Sequence, residues 1–180
     1  LGDKSLVTNA DLENFRAVSN MAKVISTPIA YNTKISEGDI IIIHHNVFRT
    51  FRDIRGKQKT SRSKFTENLY FVAMDQVYMY KNKKNWNTFN NRCFVKPLLS
   101  DNDLTLDKER ELVGILKYGN SSLEALKINP GDMIGYTPDG EYEFFIDGER
   151  LYCMKSNDIV IKYEQQGNEI EYNPSWAKSS

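Results

Sequence analysis

The sequence predicts an all-β protein made of two tandem copies of one small β-barrel. Three observations carry this. The first is an internal echo: Ile35-Ser36-Glu37-Gly38-Asp39-Ile40-Ile41-Ile42 returns as Ile128-Asn129-Pro130-Gly131-Asp132-Met133-Ile134-Gly135. The second is a matched pair downstream, where Leu69–Val72 and Asp75–Tyr80 return as Leu151–Met154 and Asn157–Lys162. The third is composition: ten Tyr and nine Phe, among many Ile and Val, favour strands over helices. Gly38 and Gly131 are 93 positions apart, Leu69 and Leu151 only 82, so the first copy is longer by 11. Such a spacing marks a duplicated domain, because solenoid units repeat every roughly 20–50 residues.

Short runs rich in β-branched and aromatic residues, bounded by Gly, Pro, Asn or Asp, give the strands. In the first copy they are Lys4–Thr8, Lys23–Ile29, Asp39–His44, Val47–Phe51, Leu69–Ala73 and Gln76–Lys81. In the second they are Arg92–Pro97, Glu111–Lys117, Asp132–Tyr136, Tyr142–Ile146, Glu149–Met154 and Asp158–Glu164. Pro138-Asp139-Gly140 and Asp147-Gly148 supply the turn chemistry, Pro presetting φ and Gly accepting a positive one. Each Gly-Asp pair turns the chain into an apolar strand, since the Asp side chain bonds nearby backbone and Gly relaxes the dihedrals. Only Asn9–Asn20 and Leu104–Leu112 have helical potential, with Asp101 or Asp103 as a cap for the latter. The predicted layout is a first barrel over 4–81, a linker over 82–91, a second barrel over 92–164 and an extension over 165–180 with Trp176 as an anchor.

Composition narrows the function classes. The 24 basic and 24 acidic side chains cancel, so no whole-molecule field draws the chain to nucleic acid or a membrane surface. No apolar run reaches about 18 residues and no signal-peptide pattern is present, so the chain reads as soluble and cytoplasmic. Cys93 and Cys153 lie in apolar runs and read as buried reduced thiols, a disulfide between them being the less favoured alternative. His44 and His45 are neighbours in a strand, where successive side chains face opposite ways, so one buried and one exposed structural ring is expected rather than a metal pair. Glu141, Glu143, Asp147 and Glu149 surround a hairpin and read as a solvated edge that discourages strand addition. With no nucleophile elbow or Gly-rich phosphate loop, neither catalysis nor a cofactor is expected.

Taken in order, four groups of residues resemble the GroES-type co-chaperonin family. They are Arg92-Cys93-Phe94-Val95-Lys96-Pro97, then Val113-Gly114-Ile115-Leu116 with Gly119-Asn120, then Ile128–Asp132, then Gly148–Tyr163. The first copy is similar through Ser5–Thr8, Ala22–Ile25, Ile35–Ile43, Leu69–Val72 and Val77–Tyr80. The resemblance implies two GroES-like barrels, a ring-shaped homo-oligomer and contact with a GroEL-type chaperonin. It places that contact in the loops Asn9–Met21, with Phe15 and Val18, and Leu98–Arg110, with Leu104 and Leu106. Neither loop holds the Gly-flanked apolar triplet with which the family docks. The wealth of Asn, Lys, Ile and Tyr points to a phage-type genome. A virion or assembly protein that reuses the barrel for self-association is therefore the alternative reading.

The 11 extra residues of the first copy fall within Arg49–Lys64. That stretch holds Arg49, Arg52, Arg55, Lys57, Lys59, Arg62 and Lys64 against the one acid Asp53. It reads first as a solvated hairpin, then as a surface for an acidic partner. Base stacking on Phe48 and Phe51 is the weakest reading, so nucleic acid is not the expected ligand.

Overall fold

Two short strands, each launched by a Gly-Asp step, organise the molecule. The computed structural model describes residues 20–100, 109–138, 140–164, 167 and 170–173. The elements run β1 Met21–Lys23, β2 Ile40–Ile43, β3 Thr50–Arg52, β4 Gln58–Thr60, β5 Lys64–Thr66, β6 Leu69–Tyr70, β7 Val77–Asn82, β8 Asn85–Thr88, β9 Arg92–Leu99, β10 Glu109–Tyr118, α1 Ser121–Ala125, β11 Met133–Tyr136, β12 Tyr142–Ile146, β13 Glu149–Lys155 and β14 Ile159–Tyr163. Strand makes up 48% and helix 10% of the described residues, which sets the class as all-β. One sheet has the order β1-β2-β7-β8 and a second the order β12-β13-β9-β10-β11-β14. The hairpins β3–β4 and β5–β6 stand apart as two-stranded sheets. Among the described residues neither sheet closes into a barrel.

The internal echo is visible bond by bond. Asp39 and Asp132 each accept from a backbone amide three residues upstream, Ser36 at 2.8 Å and Asn129 at 2.7 Å. Gly38 and Gly131 sit at φ of 90° and 99°, a region that favours glycine. The strands that follow pair in one register: Ile40↔Lys81, Ile41↔Tyr80 and Ile42↔Met79 match Met133↔Tyr163, Ile134↔Lys162 and Gly135↔Ile161. Even the irregularity repeats, since both ladders shift one step later, at Ile43↔Val77 and at Tyr136↔Ile159. On the other side β1 lies against β2 as β10 lies against β11.

Several elements differ from the sequence reading. Strand β8 and its buried Trp86 occupy much of the segment read as a linker, because a two-residue turn lets that polar run fold back on β7. The helical potential of Leu104–Leu112 gives way to strand from Glu109 onward, where pairing with β9 and β11 overrides local propensity. Val47–Phe51 is split, as His45–Val47 forms a 3-10 turn and the strand starts at Thr50. The helix α1 was not anticipated. Its signal is Asn120, whose side chain accepts from the amides of Ser122 at 3.1 Å and Leu123 at 3.2 Å. The expected strand Lys4–Thr8, the helical stretch before Asn20, the caps Asp101 and Asp103, Asp139 and the Trp176 anchor lie outside the described residues.

The two sheets share one core. Ile42, Met79 and Trp86 of the first pack with Phe94, Phe144, Leu151 and Cys153 of the second. The opposite face of β2 and β7, through Ile41, Ile43 and Tyr80, closes a separate cluster over Ile35 and Val47. Being buried on both faces, β2 needs a continuous apolar run, which Ile40–Ile43 supplies. Close approach of β9 and β10 requires Gly114, since a Cβ there would lie 2.5 Å from the Lys96 carbonyl oxygen. Cys93 and Cys153 are both free and buried. Burial pushes the Cys93 thiol up to about 12 and raises that of Cys153 as well.

Phe94→Ala should destabilise the protein by about 3–5 kcal/mol, with far-UV circular dichroism and tryptophan fluorescence still falling together in urea. Two separated transitions would contradict a common core. Native protein should leave both thiols unmodified by a soluble disulfide reagent, and modification should track global unfolding.

Candidate interaction surface

The basic stretch is a projecting arm. Backbone pairing sets Thr50 against Thr60, Phe51 against Lys59 and Arg52 against Gln58. This hairpin has no counterpart in the second copy, where only residues 137–141 separate β11 from β12. Alternation puts Arg49, Phe51, Lys57 and Lys59 on one face and Thr50, Arg52, Gln58 and Thr60 on the other. The Arg49 guanidinium lies over the Phe51 ring, 5.5 Å from its centroid. Asp53 spends its charge within the turn, accepting from the amides of Arg55 at 2.9 Å and Lys57 at 3.0 Å. Arg49, Arg52, Arg55, Lys57, Lys59, Arg62 and Lys64 are all exposed, so the positive field of the stretch faces outward. The structure thus brings the arm's cations together. Phe15, Val18, Leu104 and Leu106 lie outside the described residues.

A second feature was missed by sequence reasoning. Where the two copies meet, a polar cleft of about 450 Å3 is lined by His44, Asp75, Arg92, Tyr142, Lys155 and Asp158. Equivalent turns of the two copies build it. Gln76 Oε1 accepts from the Ala73 amide at 3.1 Å, and Asp158 Oδ2 from the Lys155 amide at 2.9 Å. Arg92 lies over the Tyr78 ring, 4.5 Å from its centroid. The two histidine rings are not on opposite faces as expected: they stack with centroids 4.3 Å apart, because His45 begins the 3-10 turn. His44 Nδ1 accepts from the Asn46 amide at 3.1 Å. Burial, then the charges of His45 and Arg92, lower the His44 pKa against the weaker pull of Asp75.

The acidic hairpin also departs from the expectation of a solvated edge. Glu143 and Glu109 bind the half-buried Arg150, whose charge burial opposes but whose two carboxylate hydrogen bonds raise its pKa. Glu149 bridges Lys96 at 3.0 Å and Lys117 at 3.2 Å, and Lys96 also binds Glu171. Asp147 accepts from Trp86 Nε1 at 2.8 Å and from Lys81 at 3.2 Å. The Trp86 bond first, aided by Lys81, lowers the Asp147 pKa. These acids tie β12 and β13 to their neighbours.

No group of His, Cys, Asp or Glu suited to a metal ion occurs among the described residues. No described helix is long and apolar enough to cross a membrane. No family model matches the chain, and no curated protein matches it.

Protonating His44 favours the unfolded chain, so its contribution is full above about pH 6.5 and is lost as the pH falls toward the lowered native value. Thermal melts from pH 8 to pH 5 should show this loss, and His44→Gln should flatten it. Arg150→Ala strands two partly buried carboxylates and should destabilise by about 3 kcal/mol in urea titrations.

Proposed function

We propose that the protein is a co-chaperonin-like factor that caps or modulates a GroEL-type chaperonin through protein–protein contact. The observation that carries this reading is the register-matched repeat, set in a framework whose residue order resembles the GroES-type family. On this reading each copy is a GroES-like barrel and the chains assemble as a ring. The loops Asn9–Met21 and Leu98–Arg110 meet the chaperonin, and the arm Arg49–Lys64 meets an acidic surface on the client or chamber. The protein performs no chemistry of its own, and a partner ATPase drives any folding cycle.

One observation favours a second reading. Both loops lack a Gly-flanked apolar triplet, and a loop that orders on docking needs apolar contact to offset the loss of freedom. A phage virion or assembly protein that uses the framework for self-association has no need of it.

Native mass measurement, alone and with a chaperonin plus nucleotide, separates the two. A nucleotide-dependent complex, lost on deletion of Leu104–Leu106, is the expected result. Stable oligomers that leave the chaperonin free and its ATPase unchanged would transfer the assignment to the structural role. Reversing Lys57 and Lys59 to Glu should weaken binding to an acidic partner at low salt and leave little difference at high salt.

A further inference from the structure

We propose that the polar cleft where the two copies meet is a binding site for a small zwitterion of the α-amino-acid class. The cleft holds about 450 Å3, toward the small end of ligand pockets, which span roughly 300–1,000 Å3. Its walls come from both copies. Asp75 belongs to the 3-10 turn Met74–Gln76 of the first, Asp158 to the equivalent turn Ser156–Asp158 of the second, and Arg92 opens β9. The site therefore exists only once the copies have joined, and the inference is independent of the chaperonin reading.

A buried donor distinguishes the cleft from a solvated groove. Tyr78 is 3% exposed, yet it lines the cleft, and its hydroxyl has no hydrogen-bond partner among the described residues. Burial pushes its phenol up to about 12, so the proton stays on the oxygen and is available to a ligand acceptor. A hydroxyl held so deep without a partner is costly, and a bound acceptor removes that cost. His44 adds a second donor: its Nδ1 accepts from the Asn46 amide, so the neutral ring carries its proton on Nε2. Arg92 adds charge. The Tyr78 ring, its centroid 4.5 Å from the guanidinium carbon, covers one face of that group and leaves the in-plane N–H groups to take a carboxylate.

The charge balance of the walls selects the charges of the ligand. Arg92 and Lys155 bring two cations to the cleft, Asp75 and Asp158 two carboxylates. Among the described residues none of the four has an ion-pair partner, so both signs remain available. Asp158 spends one oxygen on the Lys155 amide at 2.9 Å and keeps the other. A phosphate or other net anion would be repelled by the two aspartates, and a net cation by Arg92 and Lys155. A molecule with one carboxylate and one ammonium satisfies both sets. Its carboxylate meets Arg92, Tyr78 and His44, and its ammonium meets Asp75 and Asp158.

Calorimetric titration of the full chain with the common L-amino acids, one at a time, tests the site, with acetate and ethylammonium as single-charge probes. At least one amino acid should bind with a Kd of about 1 mM or below and shift the His44 ring signals in NMR. Acetate and ethylammonium should each bind at least about 10-fold more weakly. Tyr78→Phe keeps the ring under Arg92 and removes only the hydroxyl, and Asp75→Asn removes one exposed charge. Each should weaken the amino acid by about 10-fold while near-UV circular dichroism shows the native fold. Absence of binding by every amino acid, a single-charge probe binding as tightly as the amino acid, or unchanged affinity in both variants would each overturn the assignment.

Discussion

The shared core between the two sheets is the constraint on which the molecule depends. Each copy alone is near the size at which surface-to-volume ratio limits independent folding. Their junction places Ile42 and Met79 of one copy against Phe94, Phe144 and Leu151 of the other. Burial of aliphatic and aromatic side chains on this scale contributes roughly 1.5–3 kcal/mol for each fully buried one. The pairing of the copies is thus part of the fold itself. It also explains why β2 and β7 carry apolar residues on both faces, one face serving its own copy and the other serving the neighbour.

Charge is organised around that junction. Arg150 with Glu109 and Glu143, and Lys96 with Glu149 and Glu171, bind β12 and β13 to β9, β10 and the terminal segment. Half-buried ions of this kind add little net stability when paired, yet removing one partner is costly, so they enforce which strands lie together. Exposed charge has the opposite distribution. The arm β3–β4 turns its cations outward while its one acid is consumed by the turn, so a chain with zero net charge carries a strongly positive projection.

The arm was legible because a cluster of like charge at the site of an 11-residue excess is a one-dimensional signal. The polar cleft was not. His44, Arg92 and Lys155 are far apart in the sequence, and no local pattern announces that two capping turns of different copies will meet. The stacked histidines show the same limit on a smaller scale. Strand alternation separates neighbouring rings, and only the 3-10 turn beginning at His45 brings them together. The polar run Asn82–Asn91 misled for a related reason, since its two large apolar residues find cover only in the folded molecule, Trp86 in the core shared by both copies and Phe89 against the cluster of Ile41 and Tyr80.

What the sequence determined by itself was the repeat, the strand class and the position of the arm. These depend on local chemistry: Gly-Asp turns with a fixed hydrogen bond, alternation of β-branched and aromatic residues, and clustered cations. Tertiary structure alone decided how the copies join, that Glu143, Asp147 and Glu149 of the acidic hairpin pair with cations, and that Asn85–Thr88 is a strand. Each of those outcomes depends on partners distant in the chain. An ion pair, a shared core and a strand edge exist only after the backbone has brought both halves to one place, and no short-range pattern encodes the far half.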